Sequence, residues 1–421
     1  MMRRGAFDPL GRPACAPVPR IFAGTTTMTD DAIIIASYAR TPMGGFQGAL
    51  SGVTATELGA TAVKAAVARS GVDPAAIDRI YMGCVLPAGL GQAPARQAAL
   101  GAGLPDSVEA TTVNKMCGSG MQAAIMGYEA LAAGTVDVIV AGGMESMTNA
   151  PFLLAKHRAG ARIGHDVVSD SMMMDGLEDA YEKGKPMGAF AEDTAGEYQF
   201  TRADQDAFAL ESLARATAAV TDGHFRDEVV PVTVRTRTGD IEVVEDEQPG
   251  KARPEKVPGL RPAFAKNGTI TAATSASISD GAAALVLTRA SVAARLGLTQ
   301  EARIVATAAH AHAPAKFTTA PVAAIRKVLD RAGWSVEDVD LFEVNEAFAT
   351  VAMIAMRELG IPRERLNVNG GATALGHPIG ASGARIIATL VAALKARGLK
   401  TGVAALCIGG GEATAVAVEL V

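Results

Sequence analysis

NVNGGATALGHPIGASGARI, residues 367–386, reads as a short polar-ended strand, a glycine-dense loop and a helix opened by small residues. Gly370, Gly371, Gly376 and Gly380 let the backbone turn sharply and approach a ligand that a Cβ would hold off. Within the loop sits His377, followed by Pro378, which stiffens the turn. An imidazole on a loop between strand and helix is well placed for proton transfer, although a lone loop histidine is often only satisfied by backbone groups. His377 is not alone, because Cys117 and Cys407 lie in similarly glycine-packed turns.

Working outward, the same unit recurs upstream. TVNKMCGSGMQAAIMGYEAL matches this stretch, DPAAIDRIYMGCVL (73–86) matches SVEDVDLFEVNEAF (335–348), and DVIVAGGMESM matches VAALCIGGGEA (403–413). The three matches fall about 260 residues apart, the mark of a duplicated α/β unit whose two sheets would pack face to face through their helices. In the first copy, apolar runs at 32–41, 77–86 and 136–147 read as buried strands. They alternate with helices at 54–71, 92–103 and from the Cys117 turn onward, a rhythm that predicts a mainly parallel sheet with crossover helices. The rhythm breaks between 148 and 278. That part holds the Met-rich SDSMMMDGL (169–177), helices near 191–222, a charged hairpin at 230–245 and the Pro/Lys-rich EQPGKARPEKVPG (247–259), and it reads as a surface-lying insertion. SDGAAALVLT (279–288) resumes the apolar strand pattern.

The predicted division is a disordered extension (1–28), an N-terminal half (29–147, completed by 279–300), an inserted loop domain (148–278) and a C-terminal half (301–421). In the extension, Arg3, Arg4, Arg12 and Arg20 face one acid, Asp8, without an amphipathic repeat or an apolar core for secretion. With 421 residues, 49% hydrophobic and 20% charged, the composition is that of a globular α/β protein. A net charge of −5 gives no basic footprint for nucleic acid, and no apolar run is long enough for a membrane helix. Cys15, Cys84, Cys117 and Cys407 are widely spaced with no CxxC pair, so neither a disulfide framework nor a zinc site is expected and a reducing, cytoplasmic setting fits.

Cys117 is expected to end a strand and precedes Gly118-Ser119-Gly120 at a helix start, where backbone N–H groups and the helix dipole would favour a thiolate; a small buried hydrophobe is the alternative. Cys407 lies at a strand end before Gly409-Gly410-Gly411. In a duplicated architecture equivalent strand ends meet near the centre, so Cys117, His377 and Cys407 can converge as nucleophile, base and second acid/base for acyl transfer with carbon-acid chemistry. Asn345 and Glu346 add a polar pair at another strand end, with a simple helix N-cap as the other reading of Asn345.

NKMCGSGMQAA, AGGMESMTNAPF, NEAFA, NGGATALGHPIGASGAR and CIGGG occur together and in order, and on these motifs residues 30–421 resemble the thiolase family. The resemblance implies an α/β thiolase fold, a duplicated five-layer αβαβα core with an inserted loop domain for CoA binding and tetramerisation. It implies the acetyl-CoA acetyltransferase reaction: acetyl-CoA acylates Cys117, and a second acetyl-CoA condenses to acetoacetyl-CoA and CoA, reversibly. His377 would deprotonate Cys117, Cys407 would move the α-proton, and Asn345 would hold a water completing one oxyanion hole with His377. The N–H groups of Cys117 and Gly409 would form the second hole. CoA or pantetheine contacts are expected at Met187, Phe264, Ser275, Ser277, Phe317 and Phe348, with Ser275 and Ser277 flanking Thr274 and Ala276, where the family carries Asn and Ser. Lys251, Arg253 and Lys256 either meet the CoA phosphates or form a solvated charge run. No cofactor or metal is implied, and a homotetramer is, with the 158–177 Met cluster as an exposed apolar patch. A broader-chain 3-ketoacyl-CoA thiolase of fatty acid β-oxidation is the alternative. A decarboxylating or HMG-type condensing enzyme is disfavoured by the cysteine in CIGGG. A non-catalytic acyl-CoA binder would have lost one of Cys117, Asn345, His377 or Cys407.

Overall fold

The structure, a computed structural model, describes residues 31–421. The reading of residues 1–28 as an extension lies outside the described residues.

In chain order the framework begins with β1 (Ile33–Arg40), α1 (Ala55–Ser70), β2 (Arg79–Gly83), α2 (Pro94–Gly101), β3 (Glu109–Val113), α3 (Ser119–Ala132) and β4 (Val138–Ser146). The insertion contributes α4 (Met187–Glu197), α5 (Arg202–Thr221) and the hairpin β5 (Val232–Thr236) with β6 (Gly239–Val243). The chain then returns through β7 (Ser279–Arg289) and enters the second half. There it forms β8 (Ala302–Ala311), α6 (Ala320–Ala332), β9 (Leu341–Val344), α7 (Ala349–Leu359), α8 (Ser382–Arg397), β10 (Thr401–Ile408) and β11 (Glu412–Leu420). Local chemistry sets these limits. Thr54 caps α1 in a reciprocal box with Glu57, and Gly71 ends it in the left-handed region at φ 75°.

The strands join in the order β9-β10-β11-β8-β1-β7-β4-β2-β3. Each half repeats one pattern: β3-β2-β4-β7-β1 on one side is matched by β9-β10-β11-β8 on the other. The expected mainly parallel sheet is corrected to a mixed one. Only β2/β3, β2/β4 and β9/β10 are parallel, whereas β1/β7, β1/β8, β7/β4, β8/β11 and β10/β11 are antiparallel. The reason is connection length. The long insertion lets β7 re-enter from the opposite end beside β4, and the three glycines after β10 fold β11 back as a hairpin, so neither strand follows a crossover helix. A second correction concerns residues 367–369, expected to be a strand. The position equivalent to β3 is reduced to a single parallel bridge, Phe342 to Leu366, and Asn367 turns away at φ 46°.

The halves meet twice. β1 pairs with β8 from Ile33–Ile304 to Ile35–Ala302, and α3 packs on α8 between the two sheets. Alternation along each strand separates the layers. In β7, Ala282, Ala284 and Val286 face α1 and α2, while Leu285 and Leu287 face the central helices. In β10, Ala404 and Leu406 face that central layer, while Val403, Ala405 and Cys407 face α6 and α7. The outcome is helices, sheet, helices, sheet, helices, as the duplication implied. α8 is buried all round from Ser382 to Leu394, which explains its almost unbroken run of apolar and small residues there.

The segment expected to expose methionines also differs. Met172 is buried against Val85, Leu86, Met147 and Ile379, Met173 is half-buried, and only Met174 is exposed. Just before the methionines, between residues 152 and 168, Phe152, Leu154, Ile163, Val167 and Val168 are exposed.

Candidate active site

Cys117 does not end a strand, as the sequence suggested; β3 stops at Val113 and a tight turn intervenes. Met116 holds φ 47° in that turn, and Ser119 locks it, accepting from Lys115 N–H and donating to the Met116 carbonyl at 2.6 Å. Cys117 packs against the apolar cluster of Val85, Leu86, Met147 and Ile379. Burial pushes its thiol up to about 11, against the pull of the Gly409 N–H and its own amide, with the Glu145 carboxylate adding to the rise. The expected resting thiolate is therefore corrected: desolvation outweighs the local N–H groups, and the thiol must give its proton to a base during reaction.

Cys407, on β10, is fully buried. Its thiol is raised well above the usual range by burial and by the neighbouring Cys117 sulfur, so the two thiols face one another electrostatically. Gly409 follows the strand end. A Cβ there would stand 3.8 Å from Met187 Sδ, which brings Met187 to the same place. At Gly118 a Cβ would lie 2.3 Å from Ile408 Cδ1, so that glycine is needed for the turn to sit against β10.

His377 is 6% exposed, and burial, helped by the Arg385 charge, lowers its pKa to about 3. It is a neutral imidazole at physiological pH. Nδ1 lies 2.6 Å from Ser382 Oγ, whose hydroxyl donates to the Pro378 carbonyl at 2.9 Å. The hydroxyl oxygen thus accepts from Nδ1–H, leaving Nε2 unprotonated, the nitrogen able to act as a base. The backbone is pinned as well, His377 N donating to the Ser277 carbonyl at 3.2 Å and Gly380 N to Glu145 Oε2 at 2.9 Å.

Asn345 is not a helix cap: α7 begins four residues later, with Phe348 at its cap position. Its backbone N–H continues the β10 ladder to Ala405, and its side-chain Nδ2 lies 3.4 and 3.5 Å from the two ring nitrogens of His377. Glu346 turns away and accepts from Ser212, Asn367 and Thr373.

Phe264, Phe348 and Phe317 form an edge-to-face series, with centroids 5.8 and 6.2 Å apart, in the apolar cluster that includes Cys407. Gly188 makes room for it, since a Cβ would meet the Phe264 ring at 2.4 Å. Ser275 and Ser277 part company. Ser275 Oγ donates to the Thr271 carbonyl at 2.9 Å, whereas Ser277 lines a cavity of about 300 Å³. Lys251, Arg253 and Lys256 border the same cavity.

Sequence reasoning missed Glu145, Ser382 and Arg385. Glu145 is buried and accepts from Val85 N, Leu86 N and Gly380 N, and burial raises its acid to about 7. A carboxylate inside an apolar strand run was the available signal. Among the described residues no group of three His, Cys, Asp or Glu is arranged to hold a metal ion, and no helix is long and apolar enough to cross a membrane.

Comparison with known proteins agrees with this geometry. A family model described as thiolase, N-terminal domain, matches residues 33–291, and one described as thiolase, C-terminal domain, matches residues 298–420. Acetyl-CoA acetyltransferase 2 of Arabidopsis thaliana is 50% identical over 92% of this chain and 97% of its own length. An acetyl-CoA acetyltransferase of Rhizobium meliloti is 48% identical over 93% of this chain and 100% of its own. The crystal structure of an Ascaris suum thiolase in complex with coenzyme A superposes with a TM-score of 0.87 at 42% identity, covering 93% of this chain and 100% of that one. With both family domains matched in order, over residues 33–291 and 298–420, the chain belongs to the thiolase family.

Proposed function

We propose that this acyltransferase is an acetyl-CoA C-acetyltransferase, condensing two acetyl-CoA to acetoacetyl-CoA and CoA and running the reverse thiolysis. The observation that carries it is a half-buried thiol, Cys117, beside a buried one, Cys407, in a chain whose His377 is a neutral imidazole with Nε2 unprotonated. Nε2 takes the Cys117 proton, and the sulfur attacks the acetyl carbonyl. The departing CoA sulfur takes the Cys407 proton, leaving Cys407 as the thiolate that the next step requires. That thiolate removes a methyl proton from the second acetyl-CoA, and the enolate carbon attacks the acetyl group on Cys117. Collapse releases acetoacetyl-CoA, and imidazolium returns its proton to Cys117, so all three groups end as they began. The N–H groups of Cys117 and Gly409 serve one developing oxyanion, and His377 with a water on Asn345 the other; each such donor typically contributes about 3 kcal/mol.

The aromatic series in the apolar cluster that includes Cys407 supports a short acyl group rather than the broader-chain alternative. Lys251, Arg253, Lys256 and Ser277 around one cavity support a phosphate-to-pantetheine path for CoA, and Met187, Phe264 and Phe348, in the apolar cluster that includes Cys407, are the pantetheine contacts of this reading. The exposed Phe152, Leu154, Ile163, Val167 and Val168 support a homotetramer, and the free thiols of Cys84, Cys117 and Cys407 support a reducing, cytoplasmic setting.

Two measurements test the reading. Acetyl-CoA should leave an acetyl adduct on the Cys117 peptide by mass spectrometry, and Cys407→Ala should still exchange acetyl groups with CoA while its condensation falls ~10²–10⁴-fold. An adduct on Cys407, or faster thiolysis of C6–C16 3-ketoacyl-CoAs than of acetoacetyl-CoA, overturns it.

A further inference from the structure

Two arginines are fully buried, and they are treated differently. Arg40 is matched on nearly every side, by Glu228, by both oxygens of Asp246 and by the Thr41 carbonyl, at 2.7–3.1 Å. Arg385, on α8, is not. Its Nε and Nη1 find no hydrogen-bond partner among the described residues. The nearest carboxylate, Glu343 on β9, stands 3.9 Å from Nη1, too far for a hydrogen bond. Other charged groups bearing on it are Arg40, Glu228 and Asp246. The one contact Arg385 makes to a side chain at hydrogen-bond distance is Nη2 to Asn345 Oδ1, at 3.3 Å.

A buried cation paired this thinly contributes little to stability, which directs attention to what its one side-chain contact does. A guanidinium carries N–H groups only and accepts nothing. Whatever atom of Asn345 faces it must therefore be the oxygen, and the amide nitrogen is turned to the opposite side, toward His377. Rotating the amide by half a turn would set its N–H₂ against the guanidinium, donor against donor.

We propose that Arg385 is a positioning residue that fixes the side-chain amide of Asn345 with its N–H₂ toward His377, and that it acts on the reaction only through Asn345. The inference rests on the proposed role of Asn345 in oxyanion binding. Ion pairing does not explain it, because Glu343 is at the wrong distance, and core filling does not, because an apolar side chain would fill the same space without two unpaired donors.

A double-mutant cycle decides the matter, read as kcat and KM for thiolysis of acetoacetyl-CoA. Asn345→Ala and Arg385→Met should each lower kcat by about 100-fold, with KM moving less than about threefold. The double variant should be no slower than Asn345→Ala alone, within about threefold. Independent, additive losses overturn the proposal, and so does wild-type kcat in Arg385→Met. Arg385→Lys keeps the charge and most of the volume but places its nitrogen roughly one C–N bond, ~1.3 Å, short of Asn345. Its kcat should fall like that of Arg385→Met, and wild-type kcat there overturns the hydrogen-bond role. If both Arg385 variants fail to fold where Asn345→Ala folds, Arg385 is a structural strut and the proposal is wrong. Wild-type kcat in Asn345→Ala would likewise overturn it, since nothing would need positioning. Retained activity in Cys117→Ala would sink the proposed chemistry while leaving the coupling between Arg385 and Asn345 intact.

Discussion

Gly143→Ala is a one-atom change in a buried strand that should disable the enzyme through backbone contact alone. Gly143 pairs with Gly83 and Ala283 on its two sides, so the strand itself is held in place. The loop from His377 to Ala381 crosses directly over it. A Cβ on residue 143 would stand 2.0 Å from the Gly380 carbonyl oxygen, 2.9 Å from its carbon and 3.0 Å from Ala381 Cα. All three are backbone atoms, so no side chain can rotate away. Returning to even a tight contact requires the loop to lift by about 1 Å, carrying Gly380 away from Glu145 and displacing His377 with it. Overpacking of this kind costs about 1–3 kcal/mol, and a 1 Å misplacement of a catalytic group costs about 10²-fold in rate. The expected result is a urea midpoint lowered modestly and a kcat for acetoacetyl-CoA thiolysis lowered by about two orders of magnitude. Gly196→Ala is the control: nothing lies within 4 Å of its Cβ, and an alanine in α4 should leave activity unchanged and raise stability by up to about 1 kcal/mol. Wild-type kcat in Gly143→Ala would refute the claim that the His377 loop is seated by direct contact with β4.

Replacing His377 by Gln should change how stability responds to pH. The folded pKa of about 3 lies below the ordinary 6.5, so the unfolded chain binds the extra proton between these values, and native stability from this group rises with pH across pH 3 to 6.5 and is complete above it. Urea titrations of both proteins should differ by that rising component, on the order of 5 kcal/mol at most; parallel curves would refute it. Glu145 and Glu343, both raised, slope the other way in each protein and cancel in the difference. Arg40→Met should cost about 3–5 kcal/mol by stranding Glu228 and Asp246, and a loss below 1 kcal/mol in denaturant would contradict the reading of that cluster as a paired structural network. Phe348→Ala removes the middle ring of the aromatic series, so stability should fall by about 3–5 kcal/mol and the rate ratio of longer to C4 3-ketoacyl-CoAs should rise; an unchanged ratio would mean that this ring does not bound the acyl site.

Strand and helix limits were largely legible, because apolar runs such as 138–146 and the capped helix at 55–70 carry their own local signals. Strand direction was not. Nothing local tells β7 to run against both β1 and β4; that follows from where a long insertion returns the chain. Cys117, His377 and Cys407 could be singled out because glycines flank each of them, and glycine next to a reactive side chain is visible in one dimension. Arg385 and Glu145 escaped notice because each sits in an apolar run, where one charged letter reads as an interruption. Only the fold shows that Arg385 ends on Asn345 and Glu145 on the Gly380 N–H.

The lost strand at 367–369 has a consequence for how copies of this chain can associate. β9 stands at one end of the sheet, where unpaired backbone groups would ordinarily invite a strand from a neighbouring molecule. Here one side chain occupies that edge: Asn367 Oδ1 accepts from Val344 N–H at 2.8 Å, and its Nδ2 donates to the Val344 carbonyl at 2.9 Å. The amide is in effect a single-residue strand that cannot be extended. Any sheet-to-sheet growth at Val344, whether in assembly or in aggregation, must first evict Asn367, and Asn367→Ala should strand the Val344 N–H and carbonyl that the native amide seals.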